Sequence, residues 1–321
     1  MKLIIQIPCY NEAKYLPITL KDLPQKINGI DQIETLVIDD GSKDRTAEVA
    51  RENGVDHIIR FRKHRGLAAA FSAGLESSLL YGADIVVNTD ADNQYRGQDI
   101  PKLVDPILKG QADLVIGDRQ TQDIEHFSWF KKKLQKWGSS VVKVLSRTDV
   151  PDAPSGFRAM SKEAALRINV LSDFSYTLET LIQAGNSGLS VESVPVKTNE
   201  KIRDSRLFTN LFHFLKRSGS TILRSYTMYK PLKIFSILAV IFFVLGLIPG
   251  IRFLYFVYIG DYQGHVQSLI LTAILLIASF LLAVMAVLSD LIASNRKLIE
   301  EVLRRVRRME SENNTNDKKT H

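Results

Sequence analysis

Cysteine is almost absent from this sequence. The 321 residues include one cysteine, Cys9, so no disulfide can form within the chain, and we expect Cys9 to be a small buried residue. The first residues also lack the basic, apolar and small-residue succession of a secretory signal peptide. These absences predict that the part of the chain outside any membrane lies in the cytosol.

A basic surplus is missing from the first half of the chain. The formal net charge of +7 is compatible with nucleic-acid binding, but the excess Lys and Arg gather between Lys201 and Arg308. This placement indicates anionic lipid, and we expect no nucleic-acid partner. With 45% hydrophobic and 24% charged residues, the chain is not disordered and suits one large domain with an appendage.

Apolar runs of strand length alternate with helix-like stretches from Lys2 to about Pro195. This rhythm is typical of a mostly parallel sheet flanked by helices, and it predicts a Rossmann-like, doubly wound α/β domain over residues 1–203. Helices are predicted after Glu12, after Asp44 and over Leu67–Tyr81. The predicted strands are Leu3–Pro8, Glu34–Asp39, His57–Phe61, Ile85–Asp90 and Leu114–Gly117.

Two later segments, Leu232–Pro249 and Val266–Leu288, are nearly uncharged. At about 1.5 Å per residue, each is about long enough to cross a hydrocarbon core of roughly 30 Å. We predict a transmembrane hairpin over residues 232–290, with a buried hairpin of a soluble protein as the alternative. Basic residues flank the pair, whereas the link at 261–265 has no Lys or Arg, so both termini are expected in the cytosol.

Amphipathic segments flank this hairpin on both sides. Between residues 204 and 231, Leu and Phe recur at helical spacing beside basic residues, and residues 291–309 carry an apolar stripe among arginines. We predict interfacial helices that lie on the bilayer, with an amphipathic core helix as the alternative for the first segment. Residues 310–321 are polar and are predicted to form a disordered tail.

Polar residues follow the first two predicted strands, as Pro8-Cys9-Tyr10-Asn11-Glu12 and Asp39-Asp40-Gly41-Ser42. Open α/β sheets bind ligands at the carboxyl ends of parallel strands, so two such ends indicate a site. A single acidic pair of this kind is more often a turn or a helix cap. The absence of G-x-G-x-x-G after either strand argues against a dinucleotide oxidoreductase.

The strand at residues 85–87 leads into Asn88-Thr89-Asp90-Ala91-Asp92-Asn93-Gln94. Carboxylates two residues apart at a strand end can face one hard cation, and Gln94 adds an oxygen. The pattern predicts a metal held by Asp90, Asp92 and Gln94, which can bridge the oxygens of a diphosphate leaving group. Taken alone, a solvated acidic turn matches the pattern at least as often.

In their order along the chain, these motifs resemble the family-two glycosyltransferases of the GT-A fold. Over roughly Met1–Leu207 the sequence is most similar to dolichyl-phosphate mannose synthases and bacterial polyprenyl-phosphate glucosyltransferases. The resemblance implies inverting transfer of a hexose from a nucleotide sugar to a polyprenyl phosphate at the cytosolic membrane face. The segments that carry it are Pro8–Glu12, Asp39–Ser42, Arg65-Gly66-Leu67, Asp90–Gln94, Gly117-Asp118-Arg119 and Asp152–Arg158.

The resemblance also implies a donor site. Asp92 and Gln94 would bind Mg²⁺ or Mn²⁺ directly. UDP-glucose and GDP-mannose are the leading donors, and a UDP-N-acetylhexosamine or a modified pentose stays open because hexose choice depends on a few hydrogen bonds. The residues expected along the nucleotide sugar are Pro8, Tyr10, Asn11, Glu12, Ile38, Asp40, Gly66, Asp90 and Ala91.

Guanidinium groups suit the oxygens of a lipid phosphate, although a surface ion pair is the alternative for each arginine. Lys132 competes with Lys131 and Lys133 for one family position. Between Lys201 and Leu207 the family glycine is missing and Arg206 replaces a lysine, so we favour Arg206 over Arg203. The residues expected at the acceptor phosphate are Arg119, Lys132, Ser155, Arg158, Arg203 and Arg206.

Asp152 occupies a position at which the family has an aspartate, and its role is left open. It is a candidate general base, but it could instead orient Arg158 or a lysine. A phosphate monoester has a second pKa of about 6, so the acceptor is already largely dianionic and needs little help from a base. We therefore name Asp152, Asp92 and Arg119 as the catalytic candidates.

Two rival functions share this fold. A processive polysaccharide synthase is disfavoured because the Q-x-x-R-W motif is absent and two spans are few for a channel. An inactive membrane scaffold would have lost its metal ligands, and all of them are present. We expect an enzyme whose partners are a nucleotide sugar, a polyprenyl phosphate and the lipid bilayer, and the sequence leaves open whether it forms a homo-oligomer.

Overall fold

The structure is a computed structural model that describes residues 1–120, 143, 146, 148–170, 176–199, 231–260 and 266–317. The chain divides into two compact units, one formed by Met1–Ile222 with Val302–His321 and the other by Leu223–Glu301. Several predictions fall outside the described residues. They concern Lys132, Arg203, Arg206, residues 204–230 of the first interfacial helix and the link at 261–265.

Within the described residues, seven strands form one mostly parallel sheet in the order β3-β2-β1-β4-β6-β5-β7. In this sheet β6 runs antiparallel to both of its neighbours, while the other pairings are parallel. The strands are β1 (Lys2–Cys9), β2 (Gln32–Asp39), β3 (His57–Arg60), β4 (Ile85–Asn88), β5 (Leu114–Asp118), β6 (Arg158–Ser161) and β7 (Val191–Pro195).

Helices cover both faces of the sheet, which confirms the predicted α/β fold. Side chains of β1 alternate between the two halves of the core, with Ile4 in one apolar cluster and Leu3 and Ile5 in the other. All five predicted strands and all three predicted helices of this region are present. The helices are α1 (Leu16–Asp22), α2 (Thr46–Glu52), α3 (Leu67–Leu80), α4 (Ile100–Leu108), α5 (Lys162–Arg167) and α6 (Tyr176–Asn186).

The antiparallel strand β6 was not predicted from the sequence. It has four residues and begins with an arginine, so it lacks the apolar run that identified the other strands. In the sheet, Arg158 is opposite Asn88 of β4 and Ile116 of β5. Pairing on both sides therefore makes this segment a strand, and it brings the turn before Arg158 to the carboxyl end of β4.

The carboxyl ends of β1, β2, β4 and β5 lie at one edge of the sheet. From β1 the chain passes to β2 on one side and returns to β4 on the other, so the connections diverge between β1 and β4. In open α/β sheets this divergence leaves a crevice for ligands. The polar segments that follow these strands all begin at this edge.

In the described part of the chain, two helices are long and apolar enough to cross a membrane: α7 (Pro231–Tyr258) and α8 (Val266–Asp317). Within the second unit they approach each other through small residues. A Cβ added at Gly246 would lie 3.1 Å from the Leu275 Cβ, and the Ser279 hydroxyl donates to the Ala239 carbonyl at 2.8 Å. Small side chains of this kind allow close packing of membrane helices.

Helix α8 continues without interruption for 52 residues and ends at Asp317. The segment predicted as a separate interfacial helix at 291–309 is therefore part of α8. The prediction of disorder is wrong for residues 310–317, which are helical. Ser311 is buried, and its hydroxyl donates to the Leu79 carbonyl at 3.0 Å, so this end of the helix packs on α3 of the first unit.

Glu163 of α5 holds the same end of α8. Its carboxylate accepts from Arg304 at 2.9 Å, from Arg308 at 2.5 Å and from Arg167 of its own helix at 2.6 Å. Burial favours a higher pKa for Glu163, but the hydrogen bonds from Arg167 and Arg304 hold its pKa below the ordinary value of 4.5. The charged carboxylate therefore stabilises this contact above that value, and the stabilisation is lost as the pH falls through the lowered pKa.

We predict that Glu163→Gln exposes the end of α8 to protease. Losing about 1 kcal/mol of ion pairing should accelerate tryptic cleavage near Arg304–Arg308 by roughly 5-fold at neutral pH. Mass spectrometry of timed digests measures the rate. Glu192→Gln, at an exposed position of β7, is the matched control. Equal cleavage rates for the two variants would show that Glu163 does not hold the helix.

Candidate active site

The loop after β4 carries the three predicted metal ligands. Asp90, Asp92 and Gln94 are all half-buried, and the backbone amide of Gln94 donates to the Asp92 Oδ1 at 3.2 Å. Between them, Asn93 has a φ of 55°, in the left-handed region that asparagine tolerates better than most residues. This turn keeps the loop compact at the end of the strand.

Neighbouring segments hold the backbone of this loop. The Thr19 hydroxyl of α1 donates to the Ala91 carbonyl at 2.9 Å. On the other side, the Asn199 side chain donates to the Asn93 carbonyl at 3.0 Å, and the Asn199 amide donates to the Gln94 carbonyl at 3.0 Å. The loop is therefore fixed by a helix near the N-terminus and by the segment that follows β7.

The donor set of this loop fits a hard divalent cation. The described residues contain no cluster of three or more His, Cys, Asp and Glu side chains suited to a metal, and this loop offers the oxygens of two carboxylates and of the Gln94 side-chain amide. Mg²⁺ is commonly bound by one or two carboxylates and takes its other ligands from substrate phosphates and water. Asp90, Asp92 and Gln94 therefore suit a cation that arrives with a diphosphate.

Asp40, at the end of β2, holds the turn before α3. Its Oδ1 accepts from the Arg65 amide at 2.7 Å, and its Oδ2 accepts from the Gly66 amide at 2.8 Å and lies 2.9 Å from the His64 Nδ1. Gly66 has a φ of 93°, which glycine adopts without strain. We expected Asp40 and Gly66 to contact the donor, whereas here the buried Asp40 side chain is occupied by this turn.

An aromatic pair lies at the end of β1. The rings of Tyr10 and His64 are stacked with centroids 4.0 Å apart and an angle of 28° between their planes. Tyr10 is half-buried and His64 is exposed, so the pair forms a flat surface at the edge of the site. His64 was not among the predicted site residues, because nothing in the sequence of a basic turn indicates that its histidine will stack on a tyrosine.

The loops after β1 and β2 are linked by hydrogen bonds. The Asn11 amide donates to the Ser42 hydroxyl at 2.9 Å, the Lys43 amide donates to the Asn11 Oδ1 at 2.8 Å, and the Glu12 amide donates to the Thr46 hydroxyl at 2.9 Å. Asn11 and Glu12, which we predicted to bind the nucleotide sugar, are thus held by hydrogen bonds to the loop after β2. Beside it lies a cavity of about 320 Å³ lined by Gly41, Ser42, Arg60, Phe61 and Arg62.

Three residues of this region are buried in the strands. Ile38 is completely buried in the apolar core, and Pro8 is buried in β1, so their predicted contacts with the donor are not made by exposed side chains. Cys9 is also buried, and its thiol donates to the Ile7 carbonyl at 3.3 Å. This confirms that Cys9 is a small buried residue.

Arg119 follows β5 and pairs with Asp152. Its Nε donates to the Asp152 Oδ2 at 2.7 Å and its Nη2 to Oδ1 at 2.9 Å, while its backbone amide lies 3.2 Å from Oδ2. Asp152 is 1% exposed, and 19% of the Arg119 side chain is exposed. The partner of Asp152 is therefore Arg119, not the Arg158 or lysine that we expected as alternatives to a base role.

The charge of Arg119 is strongly favoured. Burial works against the protonated guanidinium, but the hydrogen bonds that Arg119 donates to Asp152, together with the negative charges of Asp152 and Asp90, hold the pKa of Arg119 above its ordinary value. Asp90, in the loop after β4, thus lies close enough to Arg119 for its charge to favour the protonated guanidinium. The structure thus brings together two predicted residues from different strand ends.

Arg158 is a structural residue, contrary to our prediction that it binds acceptor phosphate. It is completely buried, and its guanidinium donates to the Ser155 carbonyl at 2.7 Å, the Ala153 carbonyl at 2.7 Å and the Thr180 hydroxyl at 2.6 Å. Burial lowers the pKa of Arg158 to about 10, so it stays charged at neutral pH. Ser155 is also completely buried, which corrects its predicted acceptor role.

Gly156 lies against Asp90 in the loop after β4. A Cβ added there would be 2.9 Å from the Tyr176 hydroxyl and 3.2 Å from the Asp90 Oδ1, so a glycine is required for this approach. The Asn88 side chain donates to the Gly156 carbonyl at 2.8 Å, and the Gly156 amide donates to the Tyr95 hydroxyl at 3.0 Å. Tyr95 and Tyr176 were not among the predicted site residues, and the one local signal for Tyr95 is its place directly after Gln94.

Comparison with known proteins gives a consistent result. The sequence model of glycosyl transferase family 2 matches residues 4–168, slightly more than half of the chain. The polyprenol monophosphomannose synthase of Mycolicibacterium smegmatis is 28% identical over 209 residues, which cover 62% of this chain and 77% of that protein. The UDP-N-acetylglucosamine–dolichyl-phosphate N-acetylglucosaminyltransferase of Methanococcus voltae is 31% identical over 216 residues, covering 60% of this chain and 83% of that protein.

A solved structure shares the fold. The glucosyl-3-phosphoglycerate synthase of Mycobacterium tuberculosis, in complex with Mn²⁺, UDP-glucose and phosphoglyceric acid, aligns with a TM-score of 0.52 at 18% identity. The alignment covers 70% of this chain and 78% of that protein. The predicted GT-A fold is thereby confirmed.

We predict that Arg158→Met destabilises the first unit. The substitution leaves two carbonyls and the Thr180 hydroxyl without their buried donor, at about 1–3 kcal/mol each, so the thermal midpoint should fall by at least roughly 6 °C. Arg51→Met, at an exposed position of α2, is the control and should leave the midpoint near wild type. An unchanged midpoint for Arg158→Met, with a raised acceptor requirement, would restore the phosphate-binding role.

Proposed function

The chain belongs to glycosyl transferase family 2, and we propose that it transfers a hexose from a nucleotide sugar to a polyprenyl phosphate. The observation that carries this proposal is the approach of two unlike groups at one sheet edge. One is the loop with Asp90, Asp92 and Gln94, which suits a cation and a diphosphate. The other is Arg119, a guanidinium held by Asp152 and suited to a second phosphate.

The donor half of the site comprises the ends of β1, β2 and β4. The Tyr10–His64 pair offers a flat face for a base, and the adjoining cavity of about 320 Å³ gives room for the nucleoside. We keep UDP-glucose and GDP-mannose as the leading donors. The similarity to a polyprenol monophosphomannose synthase supports a hexose donor. The similarity to an enzyme named for UDP-N-acetylglucosamine adds a nucleotide-linked N-acetylhexosamine to the candidate donors.

A divalent metal is part of this proposal. When bound, Mg²⁺ or Mn²⁺ would neutralise charge on the departing nucleoside diphosphate. Asp90 and Asp92 would bind it through carboxylate oxygens and Gln94 through its amide oxygen. The Mn²⁺ and UDP-glucose bound to the structurally similar mycobacterial synthase support this assignment.

The reaction that we propose is a single displacement with inversion. An oxygen of the lipid phosphate attacks the anomeric carbon, the bond from that carbon to the diphosphate oxygen breaks, and the nucleoside diphosphate leaves with the electron pair. Arg119 holds the attacking phosphate. The phosphate is already largely dianionic at neutral pH, since its second pKa is about 6, so no proton needs to be removed.

Asp152 orients Arg119 in this mechanism and is not a base. Both of its carboxylate oxygens accept hydrogen bonds from Arg119, and its side chain is 1% exposed. If Asp152 were a base, one of these two oxygens would have to contact the acceptor phosphate, but both already accept from Arg119. The paired arrangement instead keeps the Arg119 fork in one orientation, which reduces the entropy lost when a phosphate binds.

The two apolar helices support a membrane-anchored enzyme with its acceptor in the bilayer. Lys233 lies at the start of α7, and basic residues follow the apolar part of α8 at Arg296 and Lys297. Because basic residues remain on the cytosolic side, we propose that both ends of the hairpin and the GT-A unit are cytosolic. Nucleotide sugars are then available on the same side as the lipid phosphate.

We predict transfer of sugar from one of UDP-glucose, GDP-mannose or UDP-N-acetylglucosamine to polyprenyl phosphate by the full-length protein in membranes. Radiolabelled nucleotide sugars and extraction of the lipid product measure the reaction. EDTA should stop it, and Asp92→Ala should lower the rate by at least ~100-fold through loss of a metal ligand. Donor hydrolysis without lipid product, or full activity in EDTA, would refute the proposal.

The roles of Arg119 and Asp152 are separated by a double-mutant cycle. Losing a charge-assisted hydrogen bond of about 1.5–3 kcal/mol should raise the acceptor KM of Arg119→Gln by roughly 10- to 150-fold, with nucleotide affinity near wild type. Asp152→Asn should raise the acceptor KM less, and the double variant no more than Arg119→Gln alone.

A base role for Asp152 would give a different pattern. Asp152→Asn would then lower kcat at saturating lipid phosphate, and its effect would add to that of Arg119→Gln. Thermal midpoints are measured for each variant, because removal of Arg119 leaves a buried carboxylate without its partner. Binding of UDP and GDP by calorimetry is the control for an intact donor half.

A further inference from the structure

We propose that Tyr95 is a positioning residue whose hydroxyl fixes the Gly156 turn between the metal-binding loop and Arg119, so that the donor and acceptor halves stay in register. This inference rests on the proposed function and adds a residue to it. Tyr95 directly follows Gln94, is 3% exposed, and bridges through its backbone to Thr198. It is therefore attached to the metal-binding loop by the chain itself.

The Tyr95 side chain reaches the acceptor side of the site. Its ring stacks on Phe157 with centroids 5.0 Å apart and a 15° angle between the planes. Its hydroxyl accepts from the Gly156 amide at 3.0 Å, and the Arg119 guanidinium carbon lies 5.9 Å from the centre of the ring. One side chain thus contacts the turn before β6 and lies beneath the arginine that we assign to the acceptor phosphate.

A second side chain holds the same glycine from the opposite side. Asn88 donates to the Gly156 carbonyl at 2.8 Å and to the Tyr176 hydroxyl at 3.1 Å, and its own Oδ1 accepts from Gln6 at 2.9 Å. Asn88 and Gln6 are completely buried. The amide and the carbonyl of Gly156 are therefore both bound by side chains from other parts of the chain.

This clamp matters because Gly156 lies directly against a metal-binding carboxylate. The Asp90 Oδ1 would be 3.2 Å from a Cβ at Gly156, so a small shift of the turn displaces Asp90 or collides with it. By accepting from the Gly156 amide, the Tyr95 hydroxyl therefore holds the turn at a fixed distance from Asp90.

Tyr95→Phe tests the role with little disturbance, because the ring and its stacking on Phe157 are retained. The Gly156 amide loses its acceptor, and about 1 kcal/mol of net hydrogen bonding corresponds to roughly 5-fold in a binding constant. We expect two constants to change together, each by roughly 3- to 10-fold. The Mn²⁺ affinity, measured by electron paramagnetic resonance with UDP or GDP present, should fall. The acceptor KM, measured at saturating donor and metal, should rise.

Two further variants complete the experiment on the full-length protein. Tyr81→Phe, whose ring stacks on His57 away from the site, is the matched control and should leave both constants at wild-type values. Gly156→Ala should weaken both constants, since its Cβ presses on Asp90 and Tyr176. Thermal midpoints accompany every measurement, so that a folding defect in one variant leaves the other as the test.

The outcomes separate this inference from the proposed function. If the wild-type protein binds no Mn²⁺ with nucleotide and forms no lipid-linked sugar, the proposed function fails regardless of Tyr95. If the wild type does both, and folded Tyr95→Phe or Gly156→Ala retains both constants, the positioning role is overturned. A change in Mn²⁺ affinity alone, or in acceptor KM alone, also overturns it, because the two halves would then not be coupled through this turn.

Discussion

The antiparallel pairing of β6 with β4 and β5 determines where the turn around Gly156 lies relative to Asp90. Because Arg158 is opposite Asn88, the turn that precedes β6 meets the loop that follows β4, and Gly156 comes against Asp90. A parallel strand in this position would enter from the other edge, and no such contact would form. The hydrogen bonds between the strands therefore set the separation between the loop after β4 and the turn before β6.

The two arginines near this turn show how burial decides the role of a charge. Arg158 is fully buried and donates hydrogen bonds to two carbonyls and the Thr180 hydroxyl, so it stabilises the turn. Arg119 remains partly exposed and is held by the Asp152 carboxylate. A guanidinium with five N–H donors can bind one carboxylate and still offer donors to a second anion. The second arrangement suits phosphate binding, and the first does not.

The end of α8 illustrates a related point about amphipathic patterns. Its apolar stripe among arginines predicted a helix on the bilayer surface, yet Arg304 and Arg308 bind Glu163 and Ser311 binds the Leu79 carbonyl. The polar face therefore packs on α3 and α5 of the first unit, while Val302 and Met309 are exposed. The segment is helical, as its spacing indicates, but the pattern could not specify which face would contact the first unit, because Glu163 lies far away in the sequence.

Local pattern was enough to predict the elements whose signal is contained within a few residues. The strands β1 to β5 and the two apolar helices belong to this class, because alternation and apolar length act over short distances. Tertiary structure alone decided that Arg158–Ser161 is a strand, that Asp152 pairs with Arg119, and that Tyr95 and Asn88 bind Gly156. Each of these depends on hydrogen bonds between residues more than 30 positions apart, or on a neighbouring strand, and a buried polar group takes whichever partner the packed chain places beside it.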